Sequence, residues 1–187
     1  MAKLNDIVRF INSYMRVGAF KDFPGSYNGL QFQNSGNVSK IAAATDCGIE
    51  EIKAAKKFGA DLLLVHHGMF WTPPIPIIGS SYKKIKTLID ADMAVYSCHL
   101  PLDAHREIGN SALIAKSLCL EICGGCFNIE GEDIAVVAKA PKAAARSLRA
   151  GSKNFSRKLT RALSSARKIR KKLSYARAAA PLLSCIF

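Results

Sequence analysis

All four histidines of this chain, together with one aspartate, fall between residues 66 and 105. They form two short blocks, Val65-His66-His67-Gly68-Met69-Phe70-Trp71 and Cys98-His99-Leu100-Pro101-Leu102-Asp103-Ala104-His105. Neutral imidazole and carboxylate are the usual ligands of zinc, iron and manganese, so the first chemistry suggested is the binding of a divalent metal ion. Asp103 adds a carboxylate able to neutralise charge on a hard metal or to tune a water. Adjacent side chains on an extended backbone point to opposite sides. His66 and His67 are therefore expected to serve two ions, or one to bind while the other orients a partner. The plainer alternative is that the pair caps a strand and makes ordinary hydrogen bonds.

Such residues need elements to carry them. Leu4, Ile7, Val8, Ile11 and Met15 recur at helical spacing and predict an opening helix. A loop rich in Gly, Pro, Ser and Asn runs from Lys21 to Asn37, within which Asn28-Gly29-Leu30-Gln31-Phe32 looks too specific for filler. Short apolar runs at 41–45, 61–65 and 93–97 read as buried strands. Helices are expected over 49–58, 81–90 and about 109–118, and a further strand over 134–138. Strands of this kind separated by helices imply an α/β fold, with a mixed or parallel sheet flanked by helices. Both histidine blocks then lie just beyond the carboxyl ends of strands, where ligands collect in open α/β sheets.

The whole-chain charge of +13 conceals two compositions. Residues 142–187 hold 13 Lys/Arg and no acid, so the other 14 basic residues balance all 14 acidic ones. We therefore read an α/β metal-binding domain over residues 1–140, followed by a basic low-complexity tail over 141–187. The chain opens on polar residues rather than a signal peptide, and no window approaches the run of about 20 apolar residues that spans a bilayer. Six cysteines without a secretory signal point to reduced thiols and a cytoplasmic setting.

Read in order, Asn28-Gly29-Leu30-Gln31, Asp61–Trp71 and Cys98–His105 resemble the NGG-interacting-factor-three-like dinuclear metal-centre family, whose bacterial members are labelled type-2 GTP cyclohydrolase 1 homologues. The resemblance covers roughly residues 3–140. It implies a cytoplasmic α/β protein forming a ring-shaped hexamer with two divalent metals per subunit. By the same resemblance His66, His67 and Asp103 are the ligands, and His99 and His105 line the site, where either is a candidate to shuttle protons. Family members complete the site with a histidine and a glutamate four residues apart in their second half. This chain has no histidine after His105 and no acid after Asp133.

The expected activity is metal-dependent hydrolysis of a nucleotide or phosphorylated small molecule, impaired by the missing pair. One alternative is a non-catalytic metal-binding or regulatory module. Another is a nucleic-acid-associated protein acting through residues 142–187, whose Lys/Arg would neutralise phosphates. For the tail itself, the readings are a basic amphipathic helix, a solvated segment, and a shifted reading frame or degraded gene, of which the last is favoured. Cys123-Gly124-Gly125-Cys126 is read as buried or loop thiols rather than as half a zinc knuckle or a redox pair. Trp71 is read as either a wall of the pocket or core.

Overall fold

The computed structural model describes residues 1–70 and 76–140. The expectations for Trp71 and for the basic stretch 141–187 lie outside the described residues. The chain falls into two compact units, Met1–Pro101 and Leu102 onward, a division inside the stretch 1–140 that the sequence presents as one domain.

In chain order the first unit holds β1 (Ala2–Lys3), α1 (Leu4–Tyr14), β2 (Gly29–Phe32), β3 (Asn37–Val38), β4 (Ile41–Asp46), α2 (Ile49–Phe58), β5 (Leu62–His67), α3 (Gly79–Asp90) and β6 (Ala94–Ser97). Four strands form one sheet in the order β2-β6-β5-β4. β4, β5 and β6 are parallel, and β2 joins β6 antiparallel. The sheet is thus mixed, and α2 and α3 carry the two crossovers that parallel neighbours require. β2 falls inside the stretch expected to be loop, and β3 begins at its last residue, Asn37. Their residues, Gly-Leu-Gln-Phe and Asn-Val, are too few to show a period of two.

Helix α2 illustrates how the sequence sets the bounds of an element. Glu50 and Glu51 stand in its first turn and Lys56 and Lys57 in its last, each complementing the helix dipole. Gly59 ends it at φ +74°, a left-handed conformation that a side chain disfavours. The Ala60 N–H then donates back to the Ala55 carbonyl at 3.0 Å, closing the C-terminal turn. Between these ends Ile52 and Ala55 are buried in a core with Leu63, Val65, Leu88, Met93 and Val95. The opposite sheet face buries Leu62, Ala94 and Tyr96. There the Tyr96 hydroxyl donates to Asn12 of α1 at 2.7 Å.

The short helix α4 (Leu100–Asp103) leads out of the first unit. The second unit contains α5 (Asn110–Ser117) and a hairpin of β7 (Glu121–Ile129) and β8 (Glu132–Lys139). Glu130 and Gly131 both take positive φ, 50° and 93°, as a two-residue hairpin turn of the primed kind demands. Ala112, Ala115 and Val136 form its small core, with Leu120, Ile122 and Ala138 against it. Cys123 and Cys126 lie in strand β7, Cys123 exposed and Cys126 half-buried, which corrects the reading of these thiols as buried or in a loop. Two glycines in its centre mask the strand.

Ile52 is completely buried where α2 meets the sheet. Ile52→Ala should lower unfolding stability by about 2–5 kcal/mol, read as a fall in the urea midpoint at unchanged slope. A loss below about 1 kcal/mol would show that this contact does not hold the helix to the sheet.

Candidate metal centre

The strand register lines up the polar ends of the sheet. Val65 of β5 pairs with Ser97 of β6, Ser97 with Gly29 of β2, and His67 with Asp46 of β4. The last residues of three parallel strands and the first of the antiparallel one therefore reach the same edge. Asn28 precedes that edge, and Cys98 and His99 follow it.

Three imidazoles gather there. The His66 and His67 rings lie 4.6 Å apart between centroids, His66 and His99 4.9 Å, and His67 and His99 5.6 Å. One nitrogen from each ring falls within 4.8 Å of the others. The expectation from the strand pleat, that His66 and His67 point apart, is corrected. They are the last two residues of β5, and each ring swings to an acceptor outside its own strand. His66 Nδ1–H donates to the Cys98 carbonyl at 3.0 Å. His67 Nδ1–H donates to the Asp46 carboxylate at 2.6 Å.

His99 is held in the same manner. Its Nδ1–H donates to Asp22 at 2.9 Å, while its backbone N–H donates to Asn28 Oδ1 at 2.6 Å. The Asp22 side chain is only 4% exposed. It also accepts from Asn28 Nδ2 at 2.7 Å, the Phe23 N–H at 2.7 Å and the Leu100 N–H at 3.1 Å. Burial raises the Asp22 carboxyl, but the hydrogen bonds from His99, Asn28, Phe23 and Leu100 outweigh it and bring the group to about 2. It is a carboxylate at any ordinary pH.

These partners decide what the site can bind. A carbonyl or carboxylate opposite Nδ1 places the proton there, so a neutral ring presents its lone pair at Nε2. Three imidazoles in that tautomer, two of them backed by carboxylates, have the pattern of histidines that ligate a metal. Nitrogen donors of this kind suit zinc, iron or manganese. Cys47 follows Asp46 directly, but burial pushes its thiol up to about 11, outweighing the lowering by Lys84. It is a protonated filler rather than a thiolate ligand.

Gly68 and Gln31 brace the cluster. A bulge in β2 between Leu30 and Phe32 turns Gln31 out of the ladder. Its Oε1 accepts from the Met69 N–H at 2.6 Å and its Nε2 donates to the Tyr27 carbonyl at 2.7 Å. A Cβ on Gly68 would strike the Gln31 amide, its Cδ at 2.6 Å, and could enter only by breaking those bonds.

Of the residues expected from the sequence, the structure brings His66, His67 and His99 together. Asp103 and His105 belong to the second unit. There Asp103 accepts from Asn110 Nδ2 at 2.7 Å. His105 Nδ1 accepts from the Glu107 and Ile108 N–H groups at 3.2 and 3.4 Å, which places its proton on Nε2, the opposite tautomer to the clustered three. Sequence reasoning misses Asp22 and Asp46 as site residues. Asp46 has one visible signal, its place directly after the apolar run 41–45. Asp22 has none beyond its loop.

A family model described as Duf34/NIF3 (NGG1p interacting factor 3) matches residues 2–177. The GTP cyclohydrolase 1 type 2 homologue of Deinococcus radiodurans is 42% identical over 138 residues, covering 74% of this chain and 52% of the relative. That of Archaeoglobus fulgidus is 38% identical over 142 residues, covering 76% and 57%. The crystal structure of TTHA1606 from Thermus thermophilus superposes with a TM-score of 0.64 at 34% identity, covering 70% of this chain and 53% of that one. The chain spans about half the length of the curated relatives it matches. Among the described residues no helix is long and apolar enough to cross a membrane.

The depressed Asp22 carboxyl has a measurable consequence in the metal-free chain. Its folded value lies below the ordinary 3.8, so its contribution to stability is present above about pH 3.8 and is lost as pH falls through about 2. Asp22→Asn should cost about 1–3 kcal/mol at neutral pH, because an amide N–H₂ faces donors. It should also flatten the acid limb of a pH-resolved denaturation series. A variant retaining the wild-type acid limb would show that Asp22 is not the group responsible.

Proposed function

From the premise that this chain belongs to the Duf34/NIF3 family, we propose that it binds a divalent metal ion through His66, His67 and His99 and acts in hydrolysis of a nucleotide or another phosphorylated small molecule. The observation that carries the metal assignment is the set of three Nδ1–H groups engaged by Cys98, Asp46 and Asp22. The substrate class is suggested by the name that the matched relatives carry, GTP cyclohydrolase 1 type 2 homologue. A divalent cation at these imidazoles would supply Lewis acidity towards a carbonyl, phosphoryl or water oxygen.

The chain's own residues have distinct parts in this reading. Asp46 and Asp22 orient the His67 and His99 rings and strengthen them as donors. The Cys98 carbonyl does the same for His66. This assigns His99 to the ligands rather than to proton transfer. Zinc, iron and manganese all suit the donor set. A cytoplasmic setting and a hexameric ring are proposed with the family resemblance, and analytical ultracentrifugation of the whole chain tests the second.

Titration of the metal-depleted chain with Zn²⁺, Mn²⁺ and Fe²⁺, followed by calorimetry, tests the site. Wild type should take up metal. His67→Ala should lose affinity by more than about 100-fold, and Asp46→Asn, which removes only the orienting carboxylate, by about 10- to 100-fold. Unchanged affinity in His67→Ala would reject the site. Asp103→Asn in the same series reports whether the carboxylate expected from the sequence contributes. Incubating the metal-loaded chain with GTP then separates the two readings of function: product formation supports hydrolysis, and bound metal without turnover selects a binding or regulatory module.

A further inference from the structure

Resting on that reading of the metal site, we infer that Phe23 is the stacking platform for the base of a nucleotide ligand. Phe23 is 49% exposed, and its ring lies 6.0 Å from that of His99 at a tilt of 49°. Exposed apolar side chains are common, so exposure alone decides nothing. What separates Phe23 from Phe10, Tyr14 and Phe58, which are also exposed, is its partner. Phe10 and Tyr14 stack on one another at 5.8 Å, and Phe58 lies under the Lys40 ammonium at 5.0 Å. The neighbour of Phe23 is one of the three gathered imidazoles.

The ring is also held in place before any ligand arrives. The Phe23 N–H donates to Asp22 at 2.7 Å, and its carbonyl accepts from the Ser26 N–H at 2.9 Å. Gly25 makes the intervening turn at φ +85°. Asp22 is the same carboxylate that orients His99. One buried side chain therefore sets both the imidazole and the backbone of the aromatic residue beside it. A surface whose backbone is already ordered loses little conformational freedom on binding.

The two groups select for a ligand that joins a flat π face to metal-seeking atoms. A phosphorylated aliphatic compound has the second without the first. Guanine has both in one ring system, a face for offset stacking on phenylalanine and acceptors at N7 and O6. A nucleotide adds phosphate oxygens.

The test compares GTP with inorganic tripolyphosphate, which carries the phosphates and lacks the base, in calorimetric titrations of the Mn²⁺-loaded full chain and of Phe23→Ala and Phe23→Trp. In Phe23→Ala we expect GTP affinity to fall by roughly 5- to 100-fold, the range for loss of one base–aromatic stack, with tripolyphosphate and Mn²⁺ affinities unchanged. Phe23→Trp should hold GTP within about 3-fold of wild type, since any aromatic face serves. Equal GTP affinity in wild type and Phe23→Ala, parallel loss of GTP and tripolyphosphate, or absence of GTP binding by wild type would each overturn the platform. Failure of the metal reading shows separately, as absence of Mn²⁺ uptake before any nucleotide is added.

Discussion

A neutral imidazole has one lone pair to offer, and which nitrogen offers it is decided by what the other nitrogen touches. At this site the other nitrogen is Nδ1 in all three rings, and in all three it meets an oxygen. The remainder of the first unit can be understood as the means of bringing those oxygens to one place. Without them the rings would sample both tautomers and several rotamers, and each arrangement competent for metal would be one among many.

The oxygens come from different parts of the chain. Asp46 ends β4, the Cys98 carbonyl follows β6, and Asp22 comes from the loop before β2. Parallel pairing makes this simple, because strands running the same way end at the same edge, and a residue just past each end is automatically a neighbour of the others. The antiparallel β2 contributes through its beginning instead. Asn28, one residue before the strand, bridges Asp22 and the His99 backbone. The mixed character of the sheet is thus part of how the site is assembled.

Much of the fold is legible in the sequence because its signals are local. The apolar runs at 41–45, 61–65 and 93–97 mark β4, β5 and β6, and the periodicity of Leu4 to Met15 marks α1. The histidines can be singled out because they cluster in sequence. Asp22 cannot, since 77 residues separate it from His99 and only the folded chain joins them. The meeting of His66 and His67 is hidden for a different reason. Strand alternation is a rule for residues with strand on both sides, and at the last two positions of β5 the hydrogen-bond partner overrides it. In β7, Gly124 and Gly125 remove the very side chains from which alternation is read.

The packing of Gly68 beneath the Gln31 amide couples two positions lying 37 apart in the chain. A methyl at position 68 would push the Gln31 amide, the far end of a flexible side chain, off the Met69 N–H and the Tyr27 carbonyl, and shortening residue 31 would remove the same two bonds. Either change alone gives up the tie between β2 and the turn after β5, so the glycine and the amide act as one brace.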